Sequence, residues 1–337
     1  MRLTDFDYHL PAERIAQYPL EPRDSARLLV DQGSAAPLHQ QVRDVVEHLR
    51  DGDVLVVNDT KVIPARVRLR RLSGGAAEVL LLEPLDSARR VWEAMVRPGR
   101  KLRVGEILVD ESGVPLIEVG NRTAAGDTFR VTILGDDEPL ATLARHGEMP
   151  LPPYITAPLT AADRYQTVYA NEPGSAAAPT AGLHFTPELI SSITALGVRM
   201  VTVELVVGLD TFQPISVDDP RDHVIHSERY RVGPAVVDAC REARRVVAVG
   251  TTSVRALESA AATGQADGRT RLFIHRPYEW NVVDLLMTNF HLPRTTLLLM
   301  IDAFVGDRWR RLYDEALSGD YRFLSFGDAM LLDRHAR

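Results

Sequence analysis

Cysteine, lysine and long apolar runs are scarce in this chain of 337 residues. Cys240 stands alone, which excludes an internal disulfide and a multi-cysteine zinc site and suits a reducing compartment. Lys61 and Lys101 are the only lysines among 39 basic residues, so positive charge rests almost wholly on arginine. No apolar run is long enough to span a bilayer; the longest candidate, Thr296 to Val305, is short and carries Asp302. The opening residues, Met1 to Asp7, are polar and lack the apolar core of a signal peptide. A cytoplasmic protein with no membrane partner is expected. Gly-x-Gly occurs nowhere, so the dinucleotide-binding fingerprint is missing. Neither a Gly-x-Ser-x-Gly elbow nor a recognised Cys–His pattern occurs. Oxidoreductase and hydrolase readings therefore lack support.

What is present reads as a soluble protein too long for one hydrophobic core, so two domains are expected. A net charge of −7 argues against a broad nucleic-acid footprint. It leaves room for a local one where arginines cluster, at Arg66, Arg68, Arg70 and Arg71 or at Arg241, Arg244 and Arg245. Both clusters also read as solvated faces.

The pattern of elements is α/β at both chain ends and β in between. Val42 to Arg50 reads as an amphipathic helix stopped by Gly52, and Val54 to Val57 as a buried strand. From about Arg68 to Leu134, short β-type runs separated by Gly, Asp, Ser and Asn suggest a small barrel. Pro139 to His146 reads as a helix, and Met149 to Tyr154 as a stiff extended connector. Thereafter helices are expected from Pro187, over Pro234 to Arg244, over Val254 to Ala262 and over Thr295 to Val305. Strands are expected over Arg199 to Val207, Val246 to Val249 and Leu285 to Phe290. The expected fold is an α/β domain with a mixed sheet and flanking helices, residues 1–67 plus 150–337, interrupted by an all-β barrel-like domain, residues 68–149.

Three segments could carry chemistry. Ala176 to Phe185 surrounds one imidazole, His184, with small residues, Pro179 and Gly182, a backbone path that a ligand can approach closely. Thr186, Pro187 and Gly197 then cap, start and stop a helix, so His184 sits where a loop enters it. Val246 to Val249 runs into Gly250-Thr251-Thr252-Ser253 and then a helix carrying Arg255. Such a helix start suits an anion, or the hydroxyls merely cap it. Thr288-Asn289-Phe290-His291-Leu292-Pro293 puts an amide and an imidazole at a strand end, where ligands of α/β folds sit. His223 and His226 have metal-like spacing, but no third ligand follows in a recognised pattern, so no metal is expected.

Together these segments resemble one family, the S-adenosylmethionine:tRNA ribosyltransferase-isomerases of queuosine biosynthesis. The resemblance runs through Leu3 to Tyr8, Pro22 to Leu29, Asn58 to Arg66, Met149 to Ile155, Tyr165 to Tyr169, Pro173 to Phe185, Val249 to Ser259, Thr288 to Pro293 and Tyr321 to Met330. It implies an α/β domain with a β-barrel insertion. It implies transfer and isomerisation of the ribosyl group of S-adenosylmethionine onto 7-aminomethyl-7-deazaguanine in tRNA, giving epoxyqueuosine, adenine and methionine. It implies S-adenosylmethionine and tRNA as partners and no further cofactor. A monomer is expected, since no heptad run calls for a coiled coil.

That chemistry needs a base at the ribose 5′ carbon, which the sulfonium acidifies, and His184 and His291 are the leading candidates. Thr251, Thr252 and Ser253 are expected to hold the methionine carboxylate or a tRNA phosphate. Arg255 and Asp24 are expected as charge partners, with Pro179, Thr180, Ala181, Gly182 and Asn289 completing the binding set.

The chain departs from the family at named places. Leu-His-Val-Gly-x-Gly-Thr-Phe reads Leu205-Val206-Val207-Gly208-Leu209-Asp210-Thr211-Phe212 here, so an imidazole has become Val206 and a glycine Asp210. Tyr-Pro-Gly has become His275-Arg276-Pro277, and Asn-Asn-Thr-Arg has become Asn58-Asp59-Thr60-Lys61. Two other readings stand beside the first: a divergent paralogue using S-adenosylmethionine on a smaller acceptor, or a non-catalytic binder of S-adenosylmethionine or tRNA.

Overall fold

The computed structural model describes residues 1–123, 126–159, 161–207, 215–225 and 227–336. Its largest sheet has nine strands. In spatial order they are Asp267–Thr270, Glu228–Arg231, Arg199–Leu205, Val54–Asn58, Val246–Val249, Leu285–Asn289, Ala329–Asp333, Arg27–Val30 and Leu38–Gln41. The four central strands, from Arg199–Leu205 to Leu285–Asn289, are mutually parallel. The outer pairings are antiparallel except that of Arg27–Val30 with Ala329–Asp333.

Val54–Asn58 and Val246–Val249 are buried along their whole length, as parallel strands covered on both faces must be. Alternate side chains serve opposite faces. Val54, Val56 and Ala248 join the core under helices Pro234–Glu242, Thr251–Thr263, Thr296–Val305 and Arg308–Ser318. Leu55, Val57 and Val247 join the core under helix Pro187–Ala195. Truncating fully buried Leu286 to Ala at the centre would open a cavity costing about 2–5 kcal/mol.

A second sheet, between Arg66 and Glu148, closes on itself. Strands Arg66–Arg71, Ala76–Pro84, Val91–Arg97, Phe129–Ile133, Pro115–Arg122 and Glu106–Val109 pair antiparallel in that order. The ring is completed by Arg70 opposite Val109 and Arg71 opposite Leu108. Closure removes the sheet edges, and Val67, Leu81, Trp92, Val119 and Val131 fill the interior, with Leu143 of helix Pro139–His146 among them. The mixed sheet and the barrel match the expected fold class.

Two expected helices differ. Val42–His48 is a 3-10 segment, entered through the Gln41 N–H that the Asp44 carboxylate accepts at 2.9 Å. The helix expected from Val254 begins at Thr251. Gly250 makes the whole strand-to-helix turn in one residue, at φ +85°, a conformation open to glycine at little steric cost. The hydroxyl residues therefore form the first helical turn instead of a loop, and no side chain caps this helix.

Candidate active site

The carboxyl ends of the central parallel strands meet at one cleft. Val246–Val249 delivers Gly250, Thr251 and Thr252; Leu285–Asn289 delivers Thr288, Asn289 and His291. The 3-10 turn Thr180–His184 lies beside the latter strand and contributes Thr180 and Ala181, with Pro179 just before it. Tyr154, Leu324 and Ser325 close the wall. Leu324 has φ +69°, a left-handed conformation uncommon for a bulky side chain.

His291 lines this cleft. Its Nε2 lies 3.1 Å from the Thr288 hydroxyl, and its backbone is held from two sides. The His291 N–H donates to the Tyr313 hydroxyl oxygen at 3.0 Å, and the Tyr8 hydroxyl donates to the His291 carbonyl. Burial pushes the imidazole down to about 3, so the ring is neutral at neutral pH.

His184 does not line the cleft. It is buried behind Asn289, whose Nδ2 donates to His184 Nε2 at 3.2 Å. Asn289 Oδ1 in turn accepts from the Thr180 hydroxyl at 3.0 Å. Burial pushes the His184 imidazole down to about 4; a hydrogen bond with the Arg23 backbone opposes this, and the Arg322 and Arg23 cations add to it. The ring borders a separate pocket with Arg23, Arg164 and Arg322.

The remaining expected residues divide. Pro179, Thr180, Ala181, Thr251, Thr252 and Asn289 share the cleft with His291. Gly182 lies behind it, where a Cβ would come within 1.9 Å of the Tyr169 hydroxyl. Ser253 is buried and donates to the Val249 carbonyl at 2.8 Å. Asp24 sits on the 3-10 turn Arg23–Ser25 and pairs with Arg43 at 3.4 Å, outside the cleft. Arg255 lines an adjoining side pocket, where its guanidinium pairs with Glu228. Its location follows from the helix period, which places Arg255 one turn after Thr252.

The departures fall in several environments. Val207 lines the cleft, whereas Val206 faces a different pocket, shared with the barrel residues Glu83 and Arg89. Asp210 and His226 lie outside the described residues. His223 sets its ring edge-on to Phe273 at 6.0 Å. Arg276 grips Asp302 through two hydrogen bonds of 2.6 Å, and Trp309 Nε1 also donates to Asp302, at 3.0 Å. Asp59 is buried, and its carboxyl is raised by burial and by Glu204 and Glu172 nearby.

Sequence reasoning missed Tyr8, Tyr313, Tyr154, Leu324 and Ser325. Tyr8 stands in the first matched block and Leu324 and Ser325 in the last, but no local pattern ties them to His291. Only folding brings Tyr154, Leu324 and Ser325 to the cleft and sets Tyr8 and Tyr313 on the His291 backbone.

A family model described as queuosine biosynthesis protein matches residues 3–332. An S-adenosylmethionine:tRNA ribosyltransferase-isomerase of Symbiobacterium thermophilum is 50% identical, over 98% of this chain and 100% of its own length. Its namesake in Carboxydothermus hydrogenoformans is 47% identical over 98% and 100% of the two chains. The crystal structure of S-adenosylmethionine tRNA ribosyltransferase from Thermotoga maritima superposes with a TM-score of 0.55 at 37% identity, covering 97% of this chain and 99% of that one.

Proposed function

This chain belongs to the S-adenosylmethionine:tRNA ribosyltransferase-isomerase family, and we propose on that footing that the cleft at the strand ends is where its reaction takes place. The enzyme transfers and isomerises the ribosyl group of S-adenosylmethionine onto 7-aminomethyl-7-deazaguanine in tRNA, giving epoxyqueuosine with release of adenine and methionine. S-adenosylmethionine is a substrate. No helix among the described residues is long and apolar enough to cross a membrane.

In this reading His291 is the proton acceptor. The sulfonium acidifies the ribose 5′ carbon, and a neutral imidazole in the cleft can take the proton released there. Thr288, Tyr8 and Tyr313 hold that ring and its backbone in position. His184 positions: it fixes the Asn289 amide, which fixes the Thr180 hydroxyl. Thr251 and Thr252 open a helix whose first N–H groups have no intrahelical partner, a polarity that favours a negative group of the substrate. Asp24, Gly182 and Ser253 shape the surroundings. Residues 1–67 with 150–337 form the catalytic domain and residues 68–149 the barrel, working as a monomer.

The observation that carries this reading is the gathering of His291, Asn289, Thr180, Thr251 and Thr252 in one cleft. The test is a product assay by mass spectrometry with S-adenosylmethionine, with and without tRNA bearing 7-aminomethyl-7-deazaguanine. Epoxyqueuosine in the tRNA, with adenine and methionine in solution, is the expected result, and its loss in His291→Ala is the check on the site. Consumption of S-adenosylmethionine without modified tRNA would instead favour another acceptor.

A further inference from the structure

Beside the cleft lies a smaller pocket that shares Thr251, Thr252 and Leu297 with it. Arg255 and Glu228 line it, both less than 10% exposed and paired through Arg255 Nη1. Arg255 Nε donates to the Leu272 carbonyl at 3.3 Å. Its Nη2 is buried and has no hydrogen-bond partner among the described residues, and neither has the Thr252 hydroxyl. These two groups stand three residues apart on one helix, hence on one face. Leaving two buried donors unmet is costly, about 1–3 kcal/mol for each. Such a cost in a pocket is understandable where a ligand meets it.

The charges identify the ligand's chemistry. A lone anion would suffer from Glu228 and a lone cation from Arg255. An α-amino acid carries both charges on one carbon and matches both side chains at once. The other walls, Ile274, Leu297 and Met300 among them, are apolar and suit the methylenes between the α-carbon and the sulfonium.

We propose that this side pocket holds the methionyl end of S-adenosylmethionine, with the α-carboxylate on Arg255 Nη2 and the Thr252 hydroxyl and the α-ammonium on Glu228. The assignment rests on the family reading and places the adenosyl end in the neighbouring cleft. It gives Arg255 a direct substrate contact and Thr252 a hydroxyl contact in addition to its helix position.

The experiment compares S-adenosylmethionine with its decarboxylated counterpart, which keeps the sulfonium, the adenosyl group and the amine. Binding is measured by calorimetry and adenine release is followed in parallel. Wild type should bind the decarboxylated compound about tenfold or more weakly, the loss of one charge-assisted contact. Thr252→Val and Arg255→Lys should each narrow that ratio to about threefold or less. Both variants keep the charge balance against Glu228, so both should fold. Equal binding of the two compounds by wild type, or an undiminished ratio in both variants, overturns the pocket assignment while leaving the activity intact. Absence of both binding and adenine release with S-adenosylmethionine overturns the family reading and the assignment with it.

Discussion

The amide of Asn289 donates to Nε2 of His184 at 3.2 Å, so the second imidazole of the matched motifs stands one residue behind the cleft instead of in it. Asn289 is spent on structure at both ends, with its Oδ1 accepting from Thr180 and its Nδ2 also near the Asp328 carbonyl at 3.3 Å. The two histidines therefore occupy different places, one lining the cleft and one behind it.

His291→Ala should lower kcat by about 100-fold or more, as loss of a general base does, with KM for S-adenosylmethionine changed only a few-fold. His184→Ala should lower kcat about tenfold and also lower thermal stability, because it leaves the buried Asn289 donor unmet at a cost of about 1–3 kcal/mol. Steady-state adenine release and thermal melts of the two variants check this. Equal losses of kcat would contradict the division of roles.

Acid should destabilise the protein through these rings. Their folded-state values, about 4 for His184 and about 3 for His291, lie below the ordinary 6.5. Between those limits the unfolded chain binds protons that the fold refuses. The stabilisation is full above about 6.5 and is lost as pH falls toward 4 and 3, at about 1.4 kcal/mol per pH unit for each ring. Urea midpoints at pH 7, 6 and 5 should fall, and His184→Gln should show a shallower fall than wild type. Identical slopes for the two proteins would rule His184 out as a contributor.

Gly182 and Tyr169 are tightly coupled. A methyl group on Gly182 would meet the Tyr169 hydroxyl at 1.9 Å, and that hydroxyl is itself buried without a partner among the described residues. Gly182→Ala should lower the melting temperature, and adding Tyr169→Phe should recover much of the loss. Tyr169→Phe alone should be neutral or stabilising, since it removes an unmet polar group. A double-mutant cycle by thermal melts measures the coupling; additive effects would show that the contact is absent.

Asp59 holds a buried carboxyl near Glu204 and Glu172. Its raised folded-state pKa means that stability is lost as pH rises through that value, the reverse of a paired carboxylate. Asp59→Asn should therefore raise the melting temperature at pH 7 by about 2 °C. The gain should shrink as acid protonates Asp59 in both states; a gain independent of pH would point to a different cause.

Much of this was legible along the chain. Val54 to Val57 and Val246 to Val249 announced buried strands because short runs without a polar residue, bounded by turn residues, have no face to offer solvent. Short strands between turn residues announced the barrel. The start of helix Thr251–Thr263 was misjudged, since Thr and Ser are weak helix formers and only the conformation of Gly250 turns them into a first turn. His184 and His291 looked alike in sequence because both sit in glycine- or proline-bounded loops, and nothing local records which side of Asn289 a ring occupies.

The sequence by itself determined the fold class, the family and the segments that meet at the strand ends, because periodicity, turn residues and motif spacing are local properties. The tertiary structure alone decided which groups face the cleft. It put Tyr8 and Tyr313 on the backbone of His291, turned His184 toward Arg23 and away from the cleft, and left Arg255 Nη2 and the Thr252 hydroxyl unmet in one pocket. Several of those outcomes depend on contacts between residues far apart in the chain, as Tyr8 is from His291, and burial, which sets both the charge state of a histidine and the cost of an unmet donor, exists only once the chain has closed around them.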